Sequence, residues 1–98
     1  MKITFLGTGT SDGIPMIGCK CPVCLSKDKR DKRLRASILI RNNNKNYIVD
    51  TSLDFRAQML KEKVNGIEAV FFTHQHADHT SGIVDLRSLN FAMHKSID

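Results

Sequence analysis

The 98-residue chain has no apolar run approaching the roughly 20 residues of a membrane-spanning helix, so no membrane partner is expected. It lacks an even set of cysteines. The three present, Cys19, Cys21 and Cys24, make a poor disulfide framework and a good cluster of thiolate ligands. Aromatic residues are scarce at 6%, and none falls in the charged run Lys27–Arg35, which argues against a platform for stacking single-stranded nucleic acid. No internal repeat or low-complexity segment interrupts the chain, and its length fits one small domain spanning 1–98. The opening Lys2–Leu6 runs straight into a strand pattern with no signal-peptide layout, which sets a cytoplasmic expectation. A formal charge of +5 suits an anionic substrate, but a lysine excess of this size is also common on proteins without one.

What the chain does have is concentrated in Thr73-His74-Gln75-His76-Ala77-Asp78-His79. Three of its four histidines and a carboxylate stand here, directly after the apolar run Ile67–Phe72. In an extended segment residues two apart share a face, so His74, His76 and Asp78 can converge as a strand ends. A helix or tight loop starting next would turn His79 to the same place. Imidazoles and a carboxylate so crowded favour zinc, iron or manganese; the alternative is a solvated polar loop.

The remaining segments frame this cluster. Lys2–Leu6 alternates as a short strand and leads into Gly7-Thr8-Gly9-Thr10-Ser11-Asp12-Gly13. No Lys-Ser/Thr pair or helical pattern follows those glycines, so a nucleotide P-loop is disfavoured and a loop on the rim of a site is preferred. The Cys-x-Cys-x-x-Cys spacing lets three sulfurs converge on one tetrahedral ion, with Pro22 bending the turn. Three chance thiols, or a redox pair, are the other readings; the redox pair lacks a helix-opening context. Lys27–Arg35 reads as a solvated charged face or, less readily, a basic patch for nucleic acid or phosphate. Ala36–Arg41 and Asn46–Asp50 form a hairpin through Asn42–Lys45. Asp50, at a strand end, either orients a ligand imidazole from behind or flanks a helix. A helix is expected over Leu53–Val64, opened by a capping box at Thr51-x-x-Asp54 and closed at Asn65-Gly66. A second helix is expected over Thr80–Phe91, with His94 an isolated surface residue.

In combination, the strand–GTGT loop, Asp50 and His74-x-His76-x-Asp78-His79 resemble the metallo-β-lactamase-fold hydrolases. The opening KITFLGTGTSDGIPMIGCKCPVC, DKRLRASILI and the D-F-R after Asp50 are similar to the PhnP-like branch, the phosphoribosyl cyclic phosphodiesterases. The resemblance implies an α/β fold, the N-terminal βα half of an αββα sandwich. It implies a dinuclear metal-dependent phosphodiesterase, with His74 and His76 on the first ion and Asp78 and His79 on the second. The two ions would be zinc or manganese. Cys19, Cys21 and Cys24 would hold a structural zinc, and Asp50 would support the metal histidines. A small phosphodiester is the implied substrate and a homodimer the implied assembly, with nucleic acid a weaker partner. A tRNA 3′-processing nuclease of the same superfamily is the runner-up, disfavoured by the cysteine cluster. The glycine common two residues after Asp50 is Ser52 here.

The family pattern also requires later histidines, a bridging aspartate and a fourth ligand for the cysteine zinc. Four ligands cannot fill two metal shells and leave only the open positions that chemistry uses. The chain is therefore also read as a catalytically incomplete metal-binding half-domain, a fragment whose apolar strand faces lie open.

Overall fold

The computed structural model describes residues 1–98, and its centre is one four-stranded sheet in the order β1-β2-β3-β4. β1 (Lys2–Gly7), β2 (Ser37–Asn42) and β3 (Lys45–Val49) are antiparallel neighbours, and β4 (Ala69–Phe71) lies parallel to β3. The β2–β3 hairpin turns on Asn43 and Asn44, with φ of 51° and 62°. Asparagine tolerates that left-handed conformation better than most side chains, as the sequence anticipates.

Alternation sorts the strands into two unlike faces. Leu39 and Ile48 pair across the sheet and are fully buried, packing under Phe55, Met59, Ile67 and Leu89. On the opposite face Phe5 aligns with Ile38, Val49 and Phe71, while Ile3 aligns with Ile40, Tyr47 and Ala69. Nothing covers this second face: Phe5 is 73% exposed, Phe71 55% and Ile3 52%. Helices thus line one side of the sheet only, as expected for half of a sandwich.

α1 is a single turn, Pro22–Leu25, with Cys21 at its N-cap. No helix-opening context is expected here, yet Pro22 at the first helical position supplies one. α2 (Phe55–Lys61) crosses from β3 to β4 and is shorter than expected. Its capping box does not form, because the Asp54 carboxylate is drawn away to Arg35; the Asp54 amide bonds Ser52 Oγ instead, at 3.0 Å. Ser52, in the place of the common glycine, thereby builds the turn. α2 also closes early. Lys63 takes the left-handed position (φ 54°), with Val64 N–H reaching Met59 O and Lys63 N–H reaching Leu60 O, at 3.0 and 3.3 Å. Asn65-Gly66 is not needed for that reversal.

The last helix is broken where one was expected. α3 (Ala77–Thr80) leads into a 3-10 stretch, Ser81–Asp85, and then α4 (Leu86–Met93). Gly82 causes the close approach: a Cβ there would collide with the Ser52 carbonyl and with Phe55, while its own amide bonds Thr51 O at 3.0 Å. His94 is exposed and ends α4 in the left-handed conformation.

Candidate metal centre

β4 stops at Phe71, three residues before the first histidine, so His74, His76 and Asp78 do not share one extended strand face as expected. Residues 72–76 form a loop, and Asp78 and His79 both lie in α3. Convergence is reached all the same: ligand atoms of His74, His76 and Asp78 lie within 4.8 Å of one another. The His79 ring sits 4.1 Å, centre to centre, from that of His74.

Asp50 organises this loop from beneath. Its backbone turns at φ 64°, a conformation Asp tolerates, and its amide bonds Phe71 O at 2.9 Å. The buried carboxylate accepts Thr73 N–H at 2.8 Å, the Thr73 hydroxyl at 2.7 Å and His79 Nδ1 at 2.7 Å. Burial pushes the Asp50 carboxyl up, but the Thr73 amide and hydroxyl and the His79 ring together outweigh it and hold it below its ordinary pKa. Thr51 N–H bonds His79 O at 2.8 Å, so backbone fixes the same junction.

With Nδ1 on Asp50, His79 has only Nε2 left to offer, and that atom lies 3.1 Å from Asp78 Oδ2. A bare ring nitrogen facing a carboxylate oxygen is repulsive unless a proton or cation stands between them. The donor set therefore fits a cation: two imidazoles and a carboxylate in reach of one point, and a third imidazole aimed at that carboxylate. A tetrahedral zinc asks for donors about 3.4 Å apart at bonds of about 2.0–2.1 Å. The exposed rings of His74 and His76 can close the difference by rotation. For Asp78, desolvation raises the carboxyl, while the Ser11 hydroxyl and the neighbouring His79 and His74 pull it down, leaving it lowered.

Ser11 belongs to the glycine loop, which thus stands beside Asp78 at the site, as a rim loop would. Its position is set by the end of the charged run. Gly9 N–H bonds Leu34 O at 2.7 Å, Arg33 donates to Thr8 Oγ1 at 2.9 Å, and Arg35 Nε donates to Ser11 O at 2.7 Å. Lys27–Arg35, expected as a solvated face or, less readily, a basic patch, is exposed except at Asp31 and the half-buried Arg35; its last two arginines, Arg33 and Arg35, also pin the loop. Composition hid these bonds, because nothing in a run of lysines and arginines marks which ones engage the glycine loop.

Cys19, Cys21 and Cys24 bring their sulfurs within 4.8 Å of one another. The Cys24 amide is directed at Cys21 Sγ and the Met16 amide at Cys24 Sγ, both at 3.4 Å, an arrangement that supports thiolate charge. The Cys24 amide, with the two neighbouring cysteines, lowers the Cys21 thiol. Cys24 gains from the Met16 amide, but the neighbouring sulfurs and burial overrule it and its thiol is raised. A lone ion would be gripped by three sulfurs.

Residues 45–97 match the family described as the beta-lactamase superfamily domain. The chain belongs to the metallo-β-lactamase superfamily. Its α/β architecture is the N-terminal half of that fold. A crystal structure of a diphosphatase from the PhnP family superposes with a TM-score of 0.91 at 46% identity, over 95% of this chain and 37% of that one. Zn²⁺-bound PqqB from Methylobacterium extorquens gives 0.76 at 26% identity, covering 89% of this chain and 34% of that one. Human tRNase Z, short form, gives 0.62 at 26%, over 88% of this chain and 28% of that one. Among relatives known by sequence, an octanoyltransferase of Porphyromonas gingivalis is 46% identical across 91% of this chain, which is 18% of that protein. The superfamily chain described here therefore spans between about a fifth and somewhat over a third of these relatives. No helix in it is long and apolar enough to cross a membrane.

Proposed function

We propose that residues 1–98 carry the first ligand set of a two-metal hydrolase that acts on phosphodiesters. The convergence of His74, His76 and Asp78 within 4.8 Å carries the reading. The likeness to a PhnP-family diphosphatase adds to it, since a diphosphate presents the same phosphoryl chemistry. His74 and His76 hold one divalent ion, Asp78 and His79 the other, and zinc or manganese suits these donors. When bound, such a pair makes water acidic near neutral pH and neutralises charge on the phosphoryl oxygens.

The chain's own part is orientation. Asp50 keeps His79 facing Asp78, and the glycine loop holds Ser11 against the Asp78 carboxylate. Cys19, Cys21 and Cys24 hold a separate zinc that fixes the segment leading out of that loop. Four donors do not close two metal shells, so catalysis draws its remaining ligands from residues beyond these 98.

A tRNA 3′-processing nuclease is the second reading, favoured by the likeness to human tRNase Z. Against it stands the cysteine cluster, which marks the PhnP-like branch. The third reading is a catalytically incomplete metal-binding piece, since four donors do not close two metal shells.

Intact mass and metal content distinguish these. The catalytic reading expects metal at both clusters and hydrolysis of bis(p-nitrophenyl) phosphate once the remaining ligands are supplied. His76→Ala should abolish that hydrolysis. Retained turnover in this variant would sink the assignment, and cleavage of precursor tRNA in preference to small diesters would reverse the ranking.

A further inference from the structure

Thr73 stands between a buried carboxylate and a ring of the metal cluster. Its hydroxyl is 2.7 Å from Asp50 Oδ2 and 2.9 Å from His74 Nδ1. A hydroxyl has one proton to give. If that proton went to His74, an unprotonated oxygen would face the Asp50 carboxylate at 2.7 Å, lone pair against lone pair. Donating to the carboxylate forms a charge-assisted bond, the stronger of the two choices. The proton therefore goes to Asp50, and Thr73 Oγ1 can only accept from the ring. His74 must then carry its proton on Nδ1 and leave Nε2 bare.

We propose that Thr73 is a positioning residue that relays the Asp50 carboxylate to His74, fixing it as the Nδ1–H tautomer. Asp50 acts on His79 directly, through Nδ1 at 2.7 Å, and on His74 through the Thr73 hydroxyl. One carboxylate thus presents two Nε2 atoms to the site. The Thr73 amide, bonded to Asp50 Oδ1 at 2.8 Å, holds the relay in register. His76 has no such partner: its ring makes none of the side-chain hydrogen bonds in this region, and only its carbonyl is engaged, by Thr80 Oγ1 and the His79 amide. The two supported rings and the free one give the proposal an internal control.

The proposal extends the metal-site reading and rests on it for its consequence, but its first test does not need a metal. Long-range ¹H–¹⁵N spectra of the metal-free chain, taken about two pH units above the ordinary histidine pKa of about 6.5, report which ring nitrogen is protonated. His74 should show a single Nδ1–H form and His76 a mixture, while His79 keeps Nδ1 protonated against Asp50 whatever its Nε2 shares with Asp78. Thr73→Val keeps the side-chain shape, removes the acceptor and spares the backbone bond. It should release His74 to a mixture while His79 stays as it was, and Thr73→Ser should restore the single form. In zinc titrations followed by calorimetry, Thr73→Val should weaken binding about 10- to 100-fold, with Thr73→Ser near the unsubstituted chain.

A wild-type His74 protonated at Nε2 overturns the proposal without any variant having to fold. So does a Thr73→Val chain whose His74 tautomer is unchanged. If the tautomers are as stated but no zinc binds at the histidines even once the remaining ligands are supplied, the relay stands and the metal-site reading fails.

Discussion

Arg35 and Asp54 bind each other twice, the Arg35 amide at Asp54 Oδ2 (2.8 Å) and the guanidinium at Oδ1 (3.1 Å). The same guanidinium reaches on to Ser11 O, and Gln58 Nε2 caps the Arg35 carbonyl at 3.0 Å. One residue thereby joins the start of α2, the edge of β2 and the glycine loop beside Asp78. Both side chains are only about one-fifth exposed, 22% and 19%, so solvent screens the pair less than a surface bridge.

Arg35→Ala should therefore cost about 2 kcal/mol, the scale of a lost hydrogen bond to a charged group. Arg35→Lys should recover little, because lysine lacks the planar fork that serves Asp54 and Ser11 together. Urea unfolding midpoints give both values. A lysine variant as stable as the unsubstituted chain would show that charge alone is sufficient.

Gly82→Ala should destabilise by about 1–3 kcal/mol, the usual range for forcing an extra carbon into a packed site. The added Cβ would press on the Ser52 carbonyl and Phe55. Because Thr51 bonds both Gly82 and His79, the displaced turn should also lower zinc affinity at the histidines. Thermal melts and zinc titrations on the same sample separate the two effects, and a variant with unchanged melting contradicts the packing argument.

Asp50→Asn isolates the carboxylate from the backbone it sits on. Asparagine tolerates φ near 64° as well as aspartate does, so the turn after β3 should survive. The amide keeps one accepting oxygen and gains an NH2 that only donates, so it cannot receive Thr73 N–H, the Thr73 hydroxyl and His79 Nδ1 together, and His79 loses its fixed proton. Zinc binding should weaken about 10- to 100-fold with circular dichroism little altered. Unchanged affinity would remove Asp50 from the site.

Lys95 beside Glu68, with Lys45 close by, holds the Glu68 carboxyl below its ordinary 4.5. A depressed folded-state pKa contributes stability above the unfolded value and loses it as pH falls through the folded one. Carboxyl NMR titration of Glu68 should show a midpoint below 4.5, moved upward by Lys95→Ala. Loss of charge there should loosen the C-terminal contact in which Val70 N–H meets Asp98 O at 2.7 Å. A midpoint that ignores Lys95 would contradict the pairing.

Cys21, its thiol lowered, should be alkylated by iodoacetamide faster than Cys24, whose thiol is raised. Peptide mass mapping reads the order, and zinc loaded beforehand should protect all three cysteines together. Protection of none would argue against a shared ion.

The histidine cluster was legible because its donors are adjacent in sequence and their chemistry is narrow. So were the hairpin, whose asparagines tolerate its left-handed turn, and the exposed position of His94. What escaped was whatever depended on partners far along the chain. The Thr51-x-x-Asp54 pattern gave no hint that Asp54 would turn to Arg35, 19 residues earlier. Helical periodicity over Thr80–Phe91 could not register that Gly82 must fit under a carbonyl. Thr73 was visible as the first letter of the motif, but its role needs the two distances that its hydroxyl makes.

The sheet keeps one face wet even when folded. The heat capacity of unfolding follows the apolar surface newly exposed to water, and here Ile3, Phe5 and Phe71 are largely hydrated beforehand. Calorimetry on these 98 residues should find less than the usual ~12–15 cal/mol/K per residue, with a correspondingly shallow denaturant slope. Their stability curve would be broad and flat, with its maximum poorly marked.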